Sequence, residues 1–581
     1  MNLLILGIIK VNFTSALAYS QFSVLTFPFK KAMTNSLNKI IEDSLRKHWS
    51  LSSVSDYGQC TFQYSDVAEE IAKLHIVFAE SGIEKGDKVA ICSRNMSRWG
   101  IAFLATITYG AVAVPILHEF HPEQVHHIVN HSESRILFVG DLVWKKLSAE
   151  EMPNLEGIIQ LNDWTLLGAK NKKLKHTVEN LNKCFGEKYP ASFGKKDLCY
   201  HEDQAEELAI INYTSGTTSN SKGVMIPYRA ITGNIACANE LIGTNAKPGD
   251  TLLSMLPLAH TLGMSFEFLF EFVFGIHVYF LPKMPTPSIL LKALADIRPI
   301  ALVCVPMILE KVVRKAVMQK ISDPKIKLLL KTPIVGRKIK QKICQGIRNA
   351  FGGNFYEVVV GGAALNQEVE TLLHDIGFNF TVGYGATECA PLISVEDWKS
   401  FIPGSCGKVV KRMEVKIDSR NPYDIPGEIL VRGQNVMLGY YKNPEATAET
   451  LRNGWYHTGD LGVIDRHGNL YIKGRIKNML LSANGQNIYP EEIEDKLNNL
   501  PYVQECIVVQ RDAKLYGLVY PDPDLIKKNN TSPQELKEIM EENRKILNTQ
   551  IPAYEQVAGI ILQKEEFEKT PKRSIKRFLY S

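Results

Sequence analysis

Short apolar runs separated by stretches of helical period dominate the chain. Lys88-Val-Ala-Ile-Cys92, Ala111-Val-Ala-Val114, Ile136-Leu-Phe-Val139, Leu208-Ala-Ile-Ile211 and Glu357-Val-Val-Val360 each read as a buried strand. Helical patterns lie between them, as over Asp66–Ala79, and Met33-Thr-Asn-Ser-Leu-Asn-Lys-Ile-Ile-Glu42 starts the earliest helix. The alternation predicts a large α/β architecture. No repeat of solenoid period and no low-complexity tract interrupts it. The apolar stretch 262–281 is broken by Glu267 and Glu271, which argues against a membrane span.

Length changes this picture. A chain of 581 residues is too long for one ordinary core and suggests roughly three to four folding units. At 45% hydrophobic and 22% charged residues it has the balance of a globular protein. The formal charge of +5 is small for this length and gives no basis for nucleic-acid binding. Ten cysteines without a C-x-x-C pair speak against a zinc site or disulfide framework and fit a reducing, cytoplasmic compartment.

Both ends carry organisational signals. Met1-Asn-Leu-Leu-Ile-Leu-Gly-Ile-Ile9 is apolar but short, Lys10 interrupts it, and no Lys or Arg precedes it. Residues 1–32 are therefore expected to be an extension preceding the true start near Met33; a weak membrane or export segment is the alternative. A turn-rich stretch, Asp465-Arg-His-Gly-Asn469, precedes a boundary at Arg475-Ile-Lys477. Residues 33–475 are expected to form the main body and 476–581 a small α+β unit. Residues 323–350 are basic and helical in pattern, with Lys325, Lys327, Lys331, Arg337, Lys338, Lys340, Lys342 and Arg348. They read as a solvated face, or as a contact with an anionic membrane surface.

The candidate chemistry begins at Tyr213-Thr-Ser-Gly-Thr-Thr-Ser-Asn-Ser-Lys222-Gly-Val-Met225. Backbone N–H groups, hydroxyls and one cation suit the phosphates of a nucleotide. It is not a Walker A loop, because G-x-x-x-x-G-K-[ST] is absent. Further motifs follow in order: Leu256-Pro-Leu-Ala-His260, Gly361-Gly-Ala-Ala-Leu365, Tyr384-Gly-Ala-Thr-Glu388, Gly427-Glu-Ile-Leu-Val-Arg-Gly433, Gly439-Tyr-Tyr441, Trp455-Tyr-His-Thr-Gly-Asp460, Gly474-Arg-Ile-Lys477 and Asn484-Gly-Gln-Asn-Ile-Tyr-Pro-Glu-Glu-Ile-Glu494. Together they resemble the adenylate-forming (AMP-binding) superfamily over most of the chain after about residue 60, most closely the bacterial long-chain fatty acid–CoA ligases.

The resemblance implies a large multi-subdomain body, a small mobile C-terminal lid, and two half-reactions. ATP and a fatty acid give acyl-AMP and pyrophosphate; CoA then takes the acyl group and AMP leaves. By resemblance, Thr214, Ser215, Gly216, Thr217, Thr218 and Lys222 hold the β- and γ-phosphates. Tyr384 and Gly385 belong to the adenine motif, Thr387 contacts the α-phosphate, and Glu388 binds Mg²⁺. Gly361, Gly362 and Ala363 pass between nucleotide and acyl chain. Asp460 accepts from the ribose hydroxyls, Arg475 contacts ribose or phosphate, Lys477 marks the hinge, and Gly485 borders the pantetheine channel. His260 stands near the substrate carboxylate. Phe266, Phe268, Phe270, Phe272 and Phe274 follow it, apolar enough to line an alkyl tunnel and equally like a core element.

Two departures stand out. Ser219 and Ser221 occupy positions where the family usually has Gly and Pro. The C-terminal segment reads Lys569-Thr-Pro-Lys572-Arg-Ser574-Ile-Lys576-Arg577, with Ser574 where the family places its catalytic Lys. Losing one preorganised donor at a developing charge costs roughly 10²–10³ in rate. Lys572 and Lys576 are the candidate replacements. The readings left open are a fatty acid–CoA ligase, an acyl-AMP ligase that loads a carrier protein, and a weakened member that binds nucleotide and lipid.

Overall fold

The computed structural model describes residues 36–214, 221–281, 287–313, 330, 332–481, 486–512, 514–570 and 575–580. The expected strands are present as Lys88–Cys92, Val112–Ile116, Ser134–Val139, Leu208–Tyr213 and Glu357–Val360. The first four join an eight-stranded sheet. Its middle is parallel, with Lys88–Cys92 between Val112–Ile116 and Ser134–Val139. These residues are buried on both faces, which is why the strands read as continuous apolar runs.

Local chemistry sets the helices that cover the sheet. In Tyr64–Glu80 the residues Val67, Ala68, Ile71 and Leu74 recur at helical spacing and are buried. The Gln63 N–H donates to Asp66 Oδ2 at 2.7 Å and fixes the helix start. The first described helix, Leu37–His48, is capped by Ser36. Among its described residues, the basic segment contributes the helix Pro333–Ala350, which leaves Arg337, Lys338 and Lys342 exposed. Lys325, Lys327 and Lys331 lie outside the described residues.

Further sheets build the body around the cavity described below. Ala301–Cys304, Glu357–Val360 and Phe380–Val382 form a parallel three-stranded sheet. Met413–Asp418, Gly427–Gly433, Leu451–Arg452, Trp455–Ile464 and Leu470–Arg475 form an antiparallel one. The C-terminal unit has its own apolar core, with Ile493, Leu497, Val519, Met540 and Leu547 at its centre. Its long helix, Pro533–Thr549, opens on a reciprocal Ser532–Glu535 cap and buries Leu536, Met540, Asn543 and Leu547 on one face. Among the described residues, no helix is long and apolar enough to cross a membrane.

Candidate active site

One cavity of about 2670 Å³ runs between the body and the C-terminal unit. Thr214, Lys222, His260, Gly361, Tyr384, Glu388, Asp460, Arg475, Lys477 and Lys576 all line it. Residues far apart in sequence thus face a single space. Ser215, Gly216, Thr217, Thr218, Gly485 and Lys572 lie outside the described residues, as do Ser219 and Ser574.

Leu208–Tyr213, before the Ser/Thr-rich run, pairs antiparallel with Gly223–Pro227, after it. The Thr214 N–H donates to the Lys222 carbonyl at 3.0 Å. Lys222 Nζ lies 4.9 Å from the centroid of the Tyr440 ring, a cation–π contact. Tyr440 in turn donates its hydroxyl to Glu388 Oε1 at 2.9 Å. Burial, reinforced by Glu388, raises the Tyr440 hydroxyl well above the usual tyrosine range, so it stays a donor. The motif Gly439-Tyr-Tyr441 signalled Tyr440 in the sequence, but only the fold links it to Lys222 and Glu388.

Glu388 sits in a single helical turn, Thr387–Cys389, and its carbonyl accepts from the Met437 N–H at 2.8 Å. Among the described residues, no group of three or more His, Cys, Asp or Glu could hold a metal alone. The single carboxylate of Glu388 nevertheless suits Mg²⁺, a hard cation usually held by one or two carboxylates plus substrate phosphates and water. Glu388 would supply the protein oxygen, and the ion would neutralise phosphate charge.

The nucleoside end is a second linked group. Tyr384 donates its hydroxyl to Asp460 Oδ2 at 2.7 Å, and Arg475 Nε pairs with Asp460 Oδ1 at 2.9 Å. Burial raises the Asp460 carboxyl above the usual range, against the opposing pull of Arg475 and Tyr384. Asp460 and Arg475 face each other because they are register partners in adjacent antiparallel strands. Gly362 adopts φ +85°, a left-handed conformation that favours glycine. A Cβ on Gly385 would lie 2.2 Å from the Pro391 carbonyl oxygen, so a side chain there would force the backbone apart.

His260 lies between these groups and an apolar wall. Asn95 fixes its turn: Asn95 Nδ2 donates to the Leu256 carbonyl at 2.7 Å, and the Leu258 N–H donates to Asn95 Oδ1 at 2.9 Å. Nothing in the sequence pattern signalled Asn95. The Leu262 N–H donates to His260 Nδ1 at 3.2 Å, which leaves the neutral ring carrying its proton on Nε2. The helical stretch 261–274 follows, with a π-turn over Ser265–Leu269. It divides the five phenylalanines. Phe266 and Phe270 line the cavity, Phe268 and Phe272 are buried without lining it, and Phe274 is half-buried. A spacing of two cannot keep all five on one helical face.

In the C-terminal unit, Lys569 and Ile575 form an isolated antiparallel bridge that frames the segment carrying Lys572 and Ser574. Arg577 grips Glu494 with both terminal guanidinium nitrogens, Nη1 and Nη2, and Lys569 is paired with Glu505 and Glu566. Lys576 Nζ is paired with Glu568. Lys477 lies in the short turn Ile476–Asn478, directly after the last strand of the body. The unit is seated on the body through Asn366, whose Nδ2 donates to Asn499 Oδ1 at 2.6 Å and Asp495 Oδ1 at 3.3 Å.

A large body and a small C-terminal unit thus share one cavity lined by Lys222, Glu388, Asp460 and Arg475. The large body and small C-terminal domain match those of solved adenylate-forming enzymes. The chain belongs to the AMP-binding enzyme family: the family model matches residues 42–441, and that of the AMP-binding enzyme C-terminal domain matches residues 477–580.

A long-chain-fatty-acid–CoA ligase of Mycobacterium bovis, FadD15, is 28% identical over 489 residues, 79% of this chain and 77% of the relative. A long-chain-fatty-acid–CoA ligase of Escherichia coli O6:H1 is 29% identical over 477 residues, 77% of this chain and 79% of the relative. The anthranilate CoA ligase AuaEII, solved with anthranoyl-AMP, superposes with a TM-score of 0.75 at 20% identity, over 94% of this chain and 97% of that one. ATP-bound MatB from Rhodopseudomonas palustris superposes with a TM-score of 0.72 at 20% identity, over 94% and 98%.

Proposed function

We propose that this protein is an AMP-forming acid–thiol ligase that activates a long-chain fatty acid with ATP and Mg²⁺ and transfers the acyl group to CoA. The observation that carries the reading is the single cavity, in which Lys222, Glu388 and Asp460 share one space with an apolar wall and His260. In the first step a carboxylate oxygen attacks the α-phosphorus, the bond to the bridging oxygen breaks, and pyrophosphate leaves. An anion must approach a polyanion, so cations and donors held in place before reaction lower the barrier. Lys222 and the loop hold the terminal phosphates, Thr387 meets the α-phosphate, and Asp460 with Arg475 anchors the ribose. In the second step the thiol sulfur, having lost its proton, attacks the acyl carbon and AMP departs.

The unit after residue 475 acts in this reading as the lid, turning at Lys477 between the half-reactions and bringing Gly485 to the pantetheine path. The chain works in the cytoplasm. The helix Pro333–Ala350, with Ile334 73% exposed beside Arg337 and Lys338, rests on the anionic inner membrane face. Sedimentation with anionic and neutral vesicles tests that contact.

The deciding experiment is AMP release from ATP and Mg²⁺ with short to long fatty acids, with and without CoA, and mass spectrometry of the acyl product. Acid-dependent AMP with matching acyl-CoA supports the reading. Acyl-AMP that accumulates with CoA and transfers only to a carrier-protein thiol favours the carrier-loading alternative. A second reading, a weakened member, is favoured by Ser574 and by the pairing of Lys576 with Glu568. It is tested by Ser574→Lys, which under that reading releases AMP where the native chain does not.

A further inference from the structure

Two buried glutamates interrupt the apolar wall after His260, and they differ in what they face. Glu267 Oε2 accepts from Ser254 Oγ at 3.1 Å, the Met255 N–H at 2.9 Å and the Leu256 N–H at 2.7 Å. It ties the helical stretch to the turn that leads to His260, and it does not line the cavity. Glu271 does line the cavity, is 2% exposed, and its Oε2 has no hydrogen-bond partner.

The position of Glu271 follows from the helix. At the nucleotide end, Leu262 lies 3.3 Å from where a Cβ of Gly361 would be, and Ser265 Oγ donates to the Ala390 carbonyl at 3.1 Å, beside the turn that carries Glu388. At about 1.5 Å per residue, Glu271 sits on the order of 13 Å beyond Leu262 along the same helix. That is well past the reacting carboxylate and beside the body of an alkyl chain. Cys237, Leu241, Phe266, Phe270 and Val303 are apolar members of the same cavity lining, which also carries polar groups such as His118 and Gln124. The π-turn Ser265–Leu269 falls within this stretch, and Phe266, Phe270 and Glu271 line the cavity. Such turns recur at functional sites.

A carboxyl oxygen removed from water without a partner is disfavoured, and the carboxyl's contact with its own backbone N–H offsets its burial only in part, leaving Oε2 unsatisfied. Burial pushes the Glu271 carboxyl up to about 8, so at neutral pH it is protonated and can both donate and accept. A largely apolar pocket with one placed polar group is how small-molecule sites fix orientation and specificity.

We propose that Glu271 is a specificity residue of the acyl pocket, and that the preferred acid carries a hydroxyl group part-way along its alkyl chain that hydrogen-bonds to this carboxyl. The inference rests on the acid–thiol ligase reading given above. A plain alkyl chain would leave the carboxyl unsatisfied and is disfavoured on that account, the asymmetry seen wherever a buried polar group is matched to a substrate hydroxyl.

The test compares hexadecanoic acid with hydroxyhexadecanoic acids whose hydroxyl is stepped along the chain, in AMP release by the full chain and by Glu271→Leu and Glu271→Gln. The expected result is one hydroxylated isomer with kcat/KM about tenfold or more above the plain acid. Glu271→Leu then brings that ratio close to one, and Glu271→Gln, which still donates and accepts, retains most of it. Equal turnover of plain and hydroxylated acids by the native chain, or an unchanged ratio in Glu271→Leu, overturns the proposal. Failure of every acid to release AMP counts against the ligase reading itself. In that case calorimetry with plain and hydroxylated acyl-sulfamoyl adenosines reads the same ratio as affinity, and equal affinities overturn the Glu271 proposal on their own.

Discussion

The two ends of the cavity are built on opposite principles. At the nucleotide end, charged and hydroxyl groups are already joined: Lys222 to Tyr440, Tyr440 to Glu388, and Tyr384 and Arg475 to Asp460. At the acyl end, the wall is apolar and Glu271 keeps an unpartnered oxygen. The difference teaches where each end gets its discrimination. A polyanion is recognised by donors fixed in advance, because reorganising them during reaction would raise the barrier. A flexible alkyl chain offers few polar handles, so one buried group carries disproportionate weight.

The comparison breaks most readily at Glu388. Glu388→Gln, assayed by AMP release over a Mg²⁺ titration, is expected to lower kcat by roughly 10²–10³ and to raise the Mg²⁺ requirement. A loss below about tenfold would show that the nucleotide end does not depend on this carboxylate.

The two acyl-end glutamates offer the next contrast, read by urea unfolding. Glu267→Leu removes the acceptor of three donors and is expected to lower stability by about 3 kcal/mol. Each carboxyl keeps one unpartnered oxygen, but Glu271 lacks those three donors, so Glu271→Leu is expected to leave stability unchanged or raise it. Equal losses in the two variants would erase the distinction between a structural acid and a ligand-facing one.

Smaller effects sharpen the nucleotide end. Tyr440→Phe keeps the ring under Lys222 but drops the bond to Glu388, and is expected to cost about 1 kcal/mol, or roughly fivefold in kcat/KM for Mg-ATP. Stopped-flow measurement of pyrophosphate release checks it, and an unchanged Mg²⁺ dependence would detach Tyr440 from the metal site.

The smallest effect concerns Glu357, at the start of the strand that leads to Gly361. Burial pushes its carboxyl from 4.5 up to about 8. The folded protein therefore keeps a proton that the unfolded chain releases near pH 4.5. The associated stability is fully present below that pH and is lost as pH rises through about 8. Glu357→Gln is expected to gain on the native protein in urea midpoint across that window, and a gap independent of pH would refute the assignment.

Much of this molecule is legible along the chain. Strands such as Lys88–Cys92 and Glu357–Val360 are legible because burial on both faces demands unbroken apolar runs, a requirement local to each segment. The motif glycines are legible for a similar reason: Gly362 needs a left-handed φ, and Gly385 leaves no room for a Cβ.

Tertiary structure alone decided which side chains meet. Asp460 and Arg475 are partners through strand register, Tyr440 joins Lys222 to Glu388 through sheet order, and Asn95 clamps the His260 turn from a distant loop. It also decided that Glu271 lines the cavity whereas Glu267 does not. Sequence by itself determined the inventory of chemistry and the order of the elements, because those follow from local pattern. Partnership and burial are relations between distant segments, and they exist only once the chain has packed.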